Sequence, residues 1–318
     1  MISRMNSMGE RFHTDAAVQV QRLRKSFNDK NILKNISFQV GSSNVHGLVG
    51  LSGAGKTTLL NCLVGYYDSD GGTVLIHGEE PKRDIAHKVG FTTQESCFYA
   101  DITVKDNVKY FGNLYSLPHE QMLRRAHTLL QLTGLQDTKD VRAGNLSGGM
   151  QRRFDLVLSL LHDPDILILD EPASGLDPKR RHTIWNLVRR VNNTGVTTII
   201  SSHLLHDLEE ICDEISLLHK GTIVNTDTPQ RLRDLFSHHF RLDLRTTPGQ
   251  HSAILDAMQD RDIAVSNPQR TNATLRVEID HPETVVKHLG AILDDLNETL
   301  LDINIEKPGL ESLLEKVS

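Results

Sequence analysis

Two short stretches of this chain hold side chains whose types and spacing can do chemistry. The first is Gly50-x-x-x-x-Gly55-Lys56-Thr57, the phosphate-binding P-loop pattern. Glycines at 50, 53 and 55 allow positive φ angles and close approach of the backbone to a ligand. Backbone N–H groups then converge on an anion at the positive end of a helix dipole. Lys56 adds a mobile charge for the β- and γ-phosphates, and the Thr57 hydroxyl is suited to Mg²⁺. The second stretch is Asp170-Glu171, directly after the aliphatic run Ile166-Leu-Ile-Leu169. A carboxylate there, on a strand beside a P-loop, is placed to reach Mg²⁺. Glu171, one residue on, is expected to point the other way along the pleat and to activate a water. Together these stretches predict a nucleoside triphosphate site.

The elements that must position them follow from the pattern around them. His46–Val49 reads as the end of a buried strand and Thr57–Val64 as the first turns of a helix. Alternation from Ala17 to Val40 predicts two antiparallel strands turning at Asn28-Asp29-Lys30. Phe27 precedes that turn and either stacks on a base or lies in the core. Thr73–His77 and Lys88–Thr93 read as strands, the second ending at Gln94. From Asp101 to Asp163 no strand pattern interrupts, so this is a helical insertion, with Thr103 and Pro118 opening helices. Within it, Ser147-Gly148-Gly149 is either an anion site at a helix start or a plain N-cap with a glycine turn. Arg181–Asn193 is expected as a helix and Val196–Ser201 as a buried strand with His203 at its end, the edge where α/β sheets gather ligands. His203, His206, Glu210 and Cys212 suggest a metal set, but Cys212 falls off the helical face the others share. Cys97-Phe98-Tyr99 reads as an exposed apolar cluster, a docking point for a partner.

Composition sets limits. The formal net charge is −6, which disfavours nonspecific nucleic-acid binding. No stretch approaches the ~20 apolar residues that span a bilayer. Three scattered cysteines fit reduced thiols in the cytoplasm. Residues 238–318 carry none of these motifs. Their pattern predicts strands at Phe240–Thr246, Ile263–Ser266, Ala273–Asp280 and Thr299–Ile305, helices at Gly249–Gln259 and Pro282–Leu296, and a last helix at Leu310–Val317. That is the β-α-β-β-α-β order of a ferredoxin-like domain, with one sheet face left for a partner or for charges.

These pieces resemble the ATP-binding subunit of an ABC transporter, of the drug, polysaccharide or lipid exporter type. The resemblance covers about 24–226. GLSGAGKTT (50–58) is similar to Walker A, Gln94 to the Q-loop and NLSGGMQRR (145–153) to the signature. LILDEP (167–172) is similar to Walker B, SGLDP (174–178) to the D-loop and SSH (201–203) to the switch histidine. It implies a P-loop NTPase ABC ATPase fold: a RecA-like core with antiparallel β and helical subdomains. It divides the chain into a flexible N-terminus at 1–16, an ATPase domain at 17–226 with its helical subdomain at about 101–163, a linker helix at 227–237 and a C-terminal accessory domain at 238–318. Lys307-Pro-Gly-Leu-Glu311 resembles the tail of such exporters.

The resemblance also implies function. ATP and Mg²⁺ are expected as cofactors, with ATP hydrolysis in a head-to-tail dimer driving export through a separate transmembrane permease subunit. The second ATPase subunit is a copy or a paralogue, and the pair sits on the cytoplasmic face of the membrane. No nucleic-acid partner is expected. The competing reading is a soluble ABC-class ATPase acting on ribosomes or DNA. Phe27, Gly50, Ser52, Gly53, Ala54, Gly55, Lys56, Thr57, Thr58, Ser147, Gly148, Gly149 and Asp177 are expected to bind ATP, Ser147 and Gly149 from the facing subunit. Thr57, Gln94 and Asp170 are expected at Mg²⁺, and Glu171, His203, Lys56 and Gln94 in catalysis. Three positions depart from the family pattern: Met150 after the signature glycines, Phe27 for the usual Tyr, and Asp213-Glu214 for a more basic pair.

Overall fold

The computed structural model describes residues 16–81, 85, 87–236, 240–271 and 274–306. The expected N-terminal segment, His238-His239, Ala273 and the tail from Lys307, with its helix at Leu310–Val317, lie outside the described residues. The chain divides into two compact units, Met1–Pro229 and Gln230–Ser318.

The first unit begins with a hairpin of β1 (Ala16–Phe27) and β2 (Lys30–Gly41). Its turn falls at Asn28, whose φ of 51° a short polar side chain tolerates. The buried strand β3 (Val45–Val49) and the helix α1 (Lys56–Leu63) follow. Next, β4 (Gly71–Ile76) pairs with β1, completing a three-stranded antiparallel sheet of order β2-β1-β4. The edge strand β5 (Val89–Thr92) leads into a helical insertion of α2 (Val104–Leu114), α3 (His119–Leu132) and α4 (Gly148–Leu160). Thr103 caps α2 through its side chain, which accepts the Asp106 N–H.

The chain then re-enters the sheet at β6 (Ile166–Asp170) and returns through α5 (Pro178–Asn192) to β7 (Thr197–Ser202). The sequence pattern places the start of α5 at Arg181. The helix starts earlier because Asp177 accepts the Arg180 N–H and Pro178 suits the first turn. After the short α6 (Leu205–Glu209), β8 (Glu214–His219) and β9 (Thr222–Asp227) form a hairpin on Lys220-Gly221, before α7 (Pro229–Phe236).

The six-stranded sheet has the order β5-β6-β7-β3-β8-β9 and is parallel except for β9. β3, β6 and β7 are buried along their whole length. Burial on both faces is why β6 reads as a continuous apolar run without alternation, while β3 and β7 carry small or polar residues within the buried layer. The loops that leave the carboxyl ends of β3, β5, β6 and β7 carry the P-loop, Gln94, Glu171 and His203. Parallel pairing therefore gathers residues distant in sequence at one edge.

The second unit takes in α7 from Gln230 onward, followed by β10 (Phe240–Thr247), α8 (His251–Gln259), β11 (Val265–Arg270), β12 (Thr274–Ile279), α9 (Pro282–Asp295) and β13 (Thr299–Glu306). The sheet order is β11-β12-β10-β13, all antiparallel. Leu242, Leu244, Leu275 and Val277 pack against Ile254, Met258, Leu289 and Ile292 in a core of their own. Strand β11 runs further than its apolar residues suggest, through Asn267-Pro268. It lies at the sheet edge and breaks register between Ser266 and Gln269, where a proline is tolerated. The opposite sheet face is charged. Arg276 grips Asp243 at 2.7 and 2.9 Å, and Arg241 reaches Glu306 at 2.8 Å. This face therefore has charged protection.

Candidate functional site

The P-loop connects β3 to α1. Gly53 and Gly55 take φ angles of 79° and 109°, as the pattern predicts. Gly50 does not have a positive φ; its constraint is space. A Cβ there would lie 2.4 Å from the Leu218 carbonyl oxygen on the neighbouring strand. Ser52 and Gly53 are exposed, Ala54 is buried, and Thr57 is exposed in the first turn of α1 with Thr58 half-buried behind it. Lys56 is buried, and its ammonium donates to Gly50 O at 2.7 Å and Leu51 O at 3.3 Å.

The same ammonium stands 3.1 Å from Glu171 Oε1. The other oxygen, Oε2, hydrogen-bonds His203 Nδ1 at 2.7 Å. One carboxylate thus joins the ends of β3, β6 and β7. Its orientation does not come from strand alternation, because β6 ends at Asp170 and Glu171 has a φ of 49°. A glutamate in the left-handed region is strained unless its surroundings hold it. Ser201 does so: its Oγ accepts the Glu171 N–H at 2.9 Å and donates to Asp170 Oδ1 at 2.5 Å. Sequence reasoning assigned Ser201 no role. Its only signal was its place two residues before His203.

Asp170 is buried, and among the described residues its second oxygen, Oδ2, has no hydrogen-bond partner. A buried carboxylate oxygen without a donor is costly. With a hydroxyl at Thr57 beside the P-loop, the donor set fits a hard divalent cation such as Mg²⁺. Gln94 lies two residues past Thr92, which pairs with Leu169, so it stands at the same sheet edge, with its side chain exposed.

Ser147 is the N-cap of α4, but its side chain makes no capping hydrogen bond. Ser147 and Gly148 are exposed. Among the described residues no hydrogen bond links Ser147, Gly148 or Gly149 to the Lys56–Glu171–His203 group. Asp177 caps α5. Phe27 ends β1 and is 39% exposed, so it is not a core residue. Its ring meets Tyr67 edge-on at 5.0 Å, with Lys25 Nζ 5.2 Å from its centroid. Cys97 and Phe98 are half-buried rather than exposed, because the Phe98 ring turns onto the buried Phe154 at 5.5 Å. The aromatic surface lies next to them: Tyr99 is 51% exposed and Tyr110 45%. Cys212 is buried, which pushes its thiol up. No group of three His, Cys, Asp or Glu side chains among the described residues is placed to hold a metal ion. None of their helices is long and apolar enough to cross a membrane.

Comparison with known proteins adds identity to this geometry. The family model for "ABC transporter" matches residues 33–174. The linearmycin resistance ATP-binding protein LnrL of Bacillus subtilis (strain 168) is 31% identical over 302 residues, covering 93% of this chain and 96% of that protein. The Nod factor export ATP-binding protein I of Paraburkholderia xenovorans (strain LB400) is 35% identical over 221 residues, covering 69% and 73%. A solved structure of an ATP binding subunit of an ABC transporter superposes with a TM-score of 0.63 at 25% identity, over 69% of this chain and 93% of the other.

Proposed function

The chain belongs to the ATP-binding proteins of ABC transporters, and on that premise we propose which residues carry out its hydrolysis of ATP and what that hydrolysis drives. The observation that carries the reading is the Glu171 carboxylate held between Lys56 and His203. The P-loop amides and Lys56 bind the β- and γ-phosphates, and Phe27 stacks on adenine. Glu171 polarises the attacking water, and its left-handed backbone, fixed by Ser201, aims it. His203 holds the γ-phosphate. Asp170, Thr57 and Gln94 hold Mg²⁺. When bound, that ion would supply positive charge against the charge that develops in phosphoryl transfer. Positioning and electrostatics of this kind carry most of phosphoryl transfer.

Ser147 and Gly148 are exposed, and the Ser147 side chain makes no capping hydrogen bond on α4. Two subunits closing head-to-tail would place this turn on the facing subunit's ATP, with Asp177 nearby. The cycle drives export through a separate permease subunit, and the protein works at the cytoplasmic face of the membrane. The resistance and export functions in the relatives' names favour this over a ribosome- or DNA-acting ATPase. Size-exclusion of Glu171→Gln with Mg-ATP tests the reading. Slowed turnover should trap a dimer bridged by two ATP molecules. A monomer at every protein concentration would sink the shared site.

A further inference from the structure

The loop that leaves β5 is gripped by helices rather than by the sheet. Arg152 donates from Nη2 to the Gln94 carbonyl at 2.5 Å. Asp155 Oδ1 accepts the Cys97 N–H at 3.1 Å and the Cys97 thiol at 3.4 Å. The Asn107 side chain accepts the Tyr99 N–H at 2.7 Å and donates to Tyr99 O at 2.9 Å. Arg152 and Asp155 lie on α4, the helix that starts at the Ser147-Gly148-Gly149 turn, and Asn107 lies on α2.

Asp155 is the unexpected member. It is 2% exposed, among the buried Phe154, Leu156, Val157 and Leu158. Burial pushes its carboxyl up to about 6, against the lowering effect of the Cys97 and Ser96 hydrogen bonds and of Arg152. Among the described residues its Oδ2 has no hydrogen-bond partner and faces Arg152 at 3.8 Å. An aliphatic side chain would suit this position better for stability alone. What the carboxylate does is hold a backbone N–H three residues past Gln94, next to the arginine that holds the Gln94 carbonyl.

We propose that Asp155 is a positioning residue that fastens the Gln94 loop to the signature helix, so that Gln94 keeps register with Ser147-Gly148-Gly149 rather than with β5. The inference rests on the reading of Gln94 as an Mg²⁺-site residue. It gives each subunit a rigid link between the glutamine of its own site and the turn it offers to the facing one. Asp155 acts through the loop and touches no reacting atom.

The test uses the full chain with Asp155→Ala, Asp155→Asn, Gln94→Ala and the double variant Gln94→Ala/Asp155→Ala. The first readout is amide hydrogen exchange without nucleotide. Exchange across 95–99 should accelerate in Asp155→Ala and stay near wild type in Asp155→Asn, which keeps an acceptor for the Cys97 N–H. The second is the Mg²⁺ concentration for half-maximal ATPase. Asp155→Ala should raise it about tenfold, the scale of losing a group that orients a metal ligand. It should add nothing in the Gln94→Ala background. Should Asp155→Ala fold poorly, Asp155→Leu, which removes the acceptor without opening a cavity in the buried site, takes its place with the same expectations. Unchanged exchange at 95–99, or a full additional loss in the double variant, overturns the proposal. If Gln94→Ala alone leaves the Mg²⁺ dependence unchanged, the reading of Gln94 fails and the inference with it. If Gln94→Ala shifts it and Asp155→Ala does not, only the inference fails.

Discussion

Lys56 Nζ and Glu171 Oε1 stand 3.1 Å apart, both largely removed from solvent. The pair links the lysine proposed to bind phosphate to the carboxylate proposed to polarise the water. Glu171→Gln keeps the shape and the reach to His203 but cannot take up a proton. ATP hydrolysis should fall by roughly 10² to 10⁴, with ATP still bound. Single-turnover hydrolysis beside equilibrium ATP binding separates the two. Loss of binding together with rate would mean that Glu171 only balances the charge of Lys56.

Phe27 presents an exposed ring beside Tyr67. Phe27→Ala should weaken ATP binding by about 1 to 3 kcal/mol, the range for an aromatic stacked on a base. Phe27→Tyr should be nearly silent, since the phenol ring keeps the same face. An unchanged affinity in Phe27→Ala, measured by titration calorimetry, would remove the ring from the site.

Two buried histidines make stability depend on pH. His46 lies within β3, hydrogen-bonded to Ser216 Oγ at 2.9 Å, and burial lowers its pKa to about 4. His162 stacks on Tyr115 at 3.9 Å, and burial lowers it to about 4 as well. Unfolded, both take up protons near 6.5. Their contribution is complete above 6.5, falls as pH drops below 6.5 and is gone at about 4. Asp155 works in the opposite sense. Its folded value near 6 lies above the ordinary 3.8, so its protonation favours the folded state over that interval. Burial raises Glu214 in the same sense as Asp155, while the Ser26 N–H lowers Asp70 and Lys105 lowers Asp140, so the two histidines decide the sign and the first unit should lose stability on acidification from pH 6.5. Urea unfolding across that range should show a shallower loss in His162→Gln than in the wild type. Equal slopes would mean that His162 is not held neutral.

The parts of the site legible in the sequence are those set by local pattern. The P-loop, the aliphatic strand ending at Asp170 and the glycine turn at Ser147 each signal within about ten residues. What the sequence hid depends on neighbours distant in the chain. Strand alternation gives Glu171 the wrong reason for its direction, since Ser201, 30 positions on, holds its N–H. The run Cys97-Phe98-Tyr99 looks like an exposed cluster because Phe154, which covers Phe98, lies on another helix. Asp155 was visible as one acid inside an apolar run. Nothing local tells such an acid from a solvated helix position. Only the fold brings the Cys97 N–H to it.

Within the cluster Cys97-Phe98-Tyr99 we expect a membrane partner to dock at the exposed Tyr99, together with Tyr110, rather than at the half-buried Phe98. The two tyrosine rings meet edge-on at 4.8 Å and their hydroxyls at 3.1 Å, both exposed. Tyr110→Asp should uncouple transport in membrane vesicles holding both subunits while leaving the basal ATPase of the isolated chain nearly intact. Phe98→Asp should instead lower thermal stability, since it sets a charge against Phe154. Equal loss of transport and basal activity in Tyr110→Asp would make the tyrosines structural.

The second unit should tune the ATPase without forming part of it. Its core, built on Leu242, Leu244, Val277 and Ile292, is separate from the cluster around Leu48, Leu60 and Ile168 that supports the P-loop. Its charged sheet face pairs Arg276 with Asp243 and Arg241 with Glu306 internally. Such a face does not demand an apolar partner. Edge strand β13, however, leaves Leu300, Leu301 and Ile303 exposed. Exposed apolar groups on a strand edge favour contact with another chain, and in a two-fold dimer a second copy brings the same edge. A truncation after Phe236 should therefore fold and bind ATP with unchanged affinity. Its hydrolysis should depend more steeply on protein concentration, because dimer formation becomes limiting once the β13 edge is gone. ATPase rates measured across a hundredfold range of protein concentration, beside the full chain, decide this. An unchanged concentration dependence would mean that the unit has no part in assembly. Loss of folding or of nucleotide binding would mean that the ATPase core extends past Phe236.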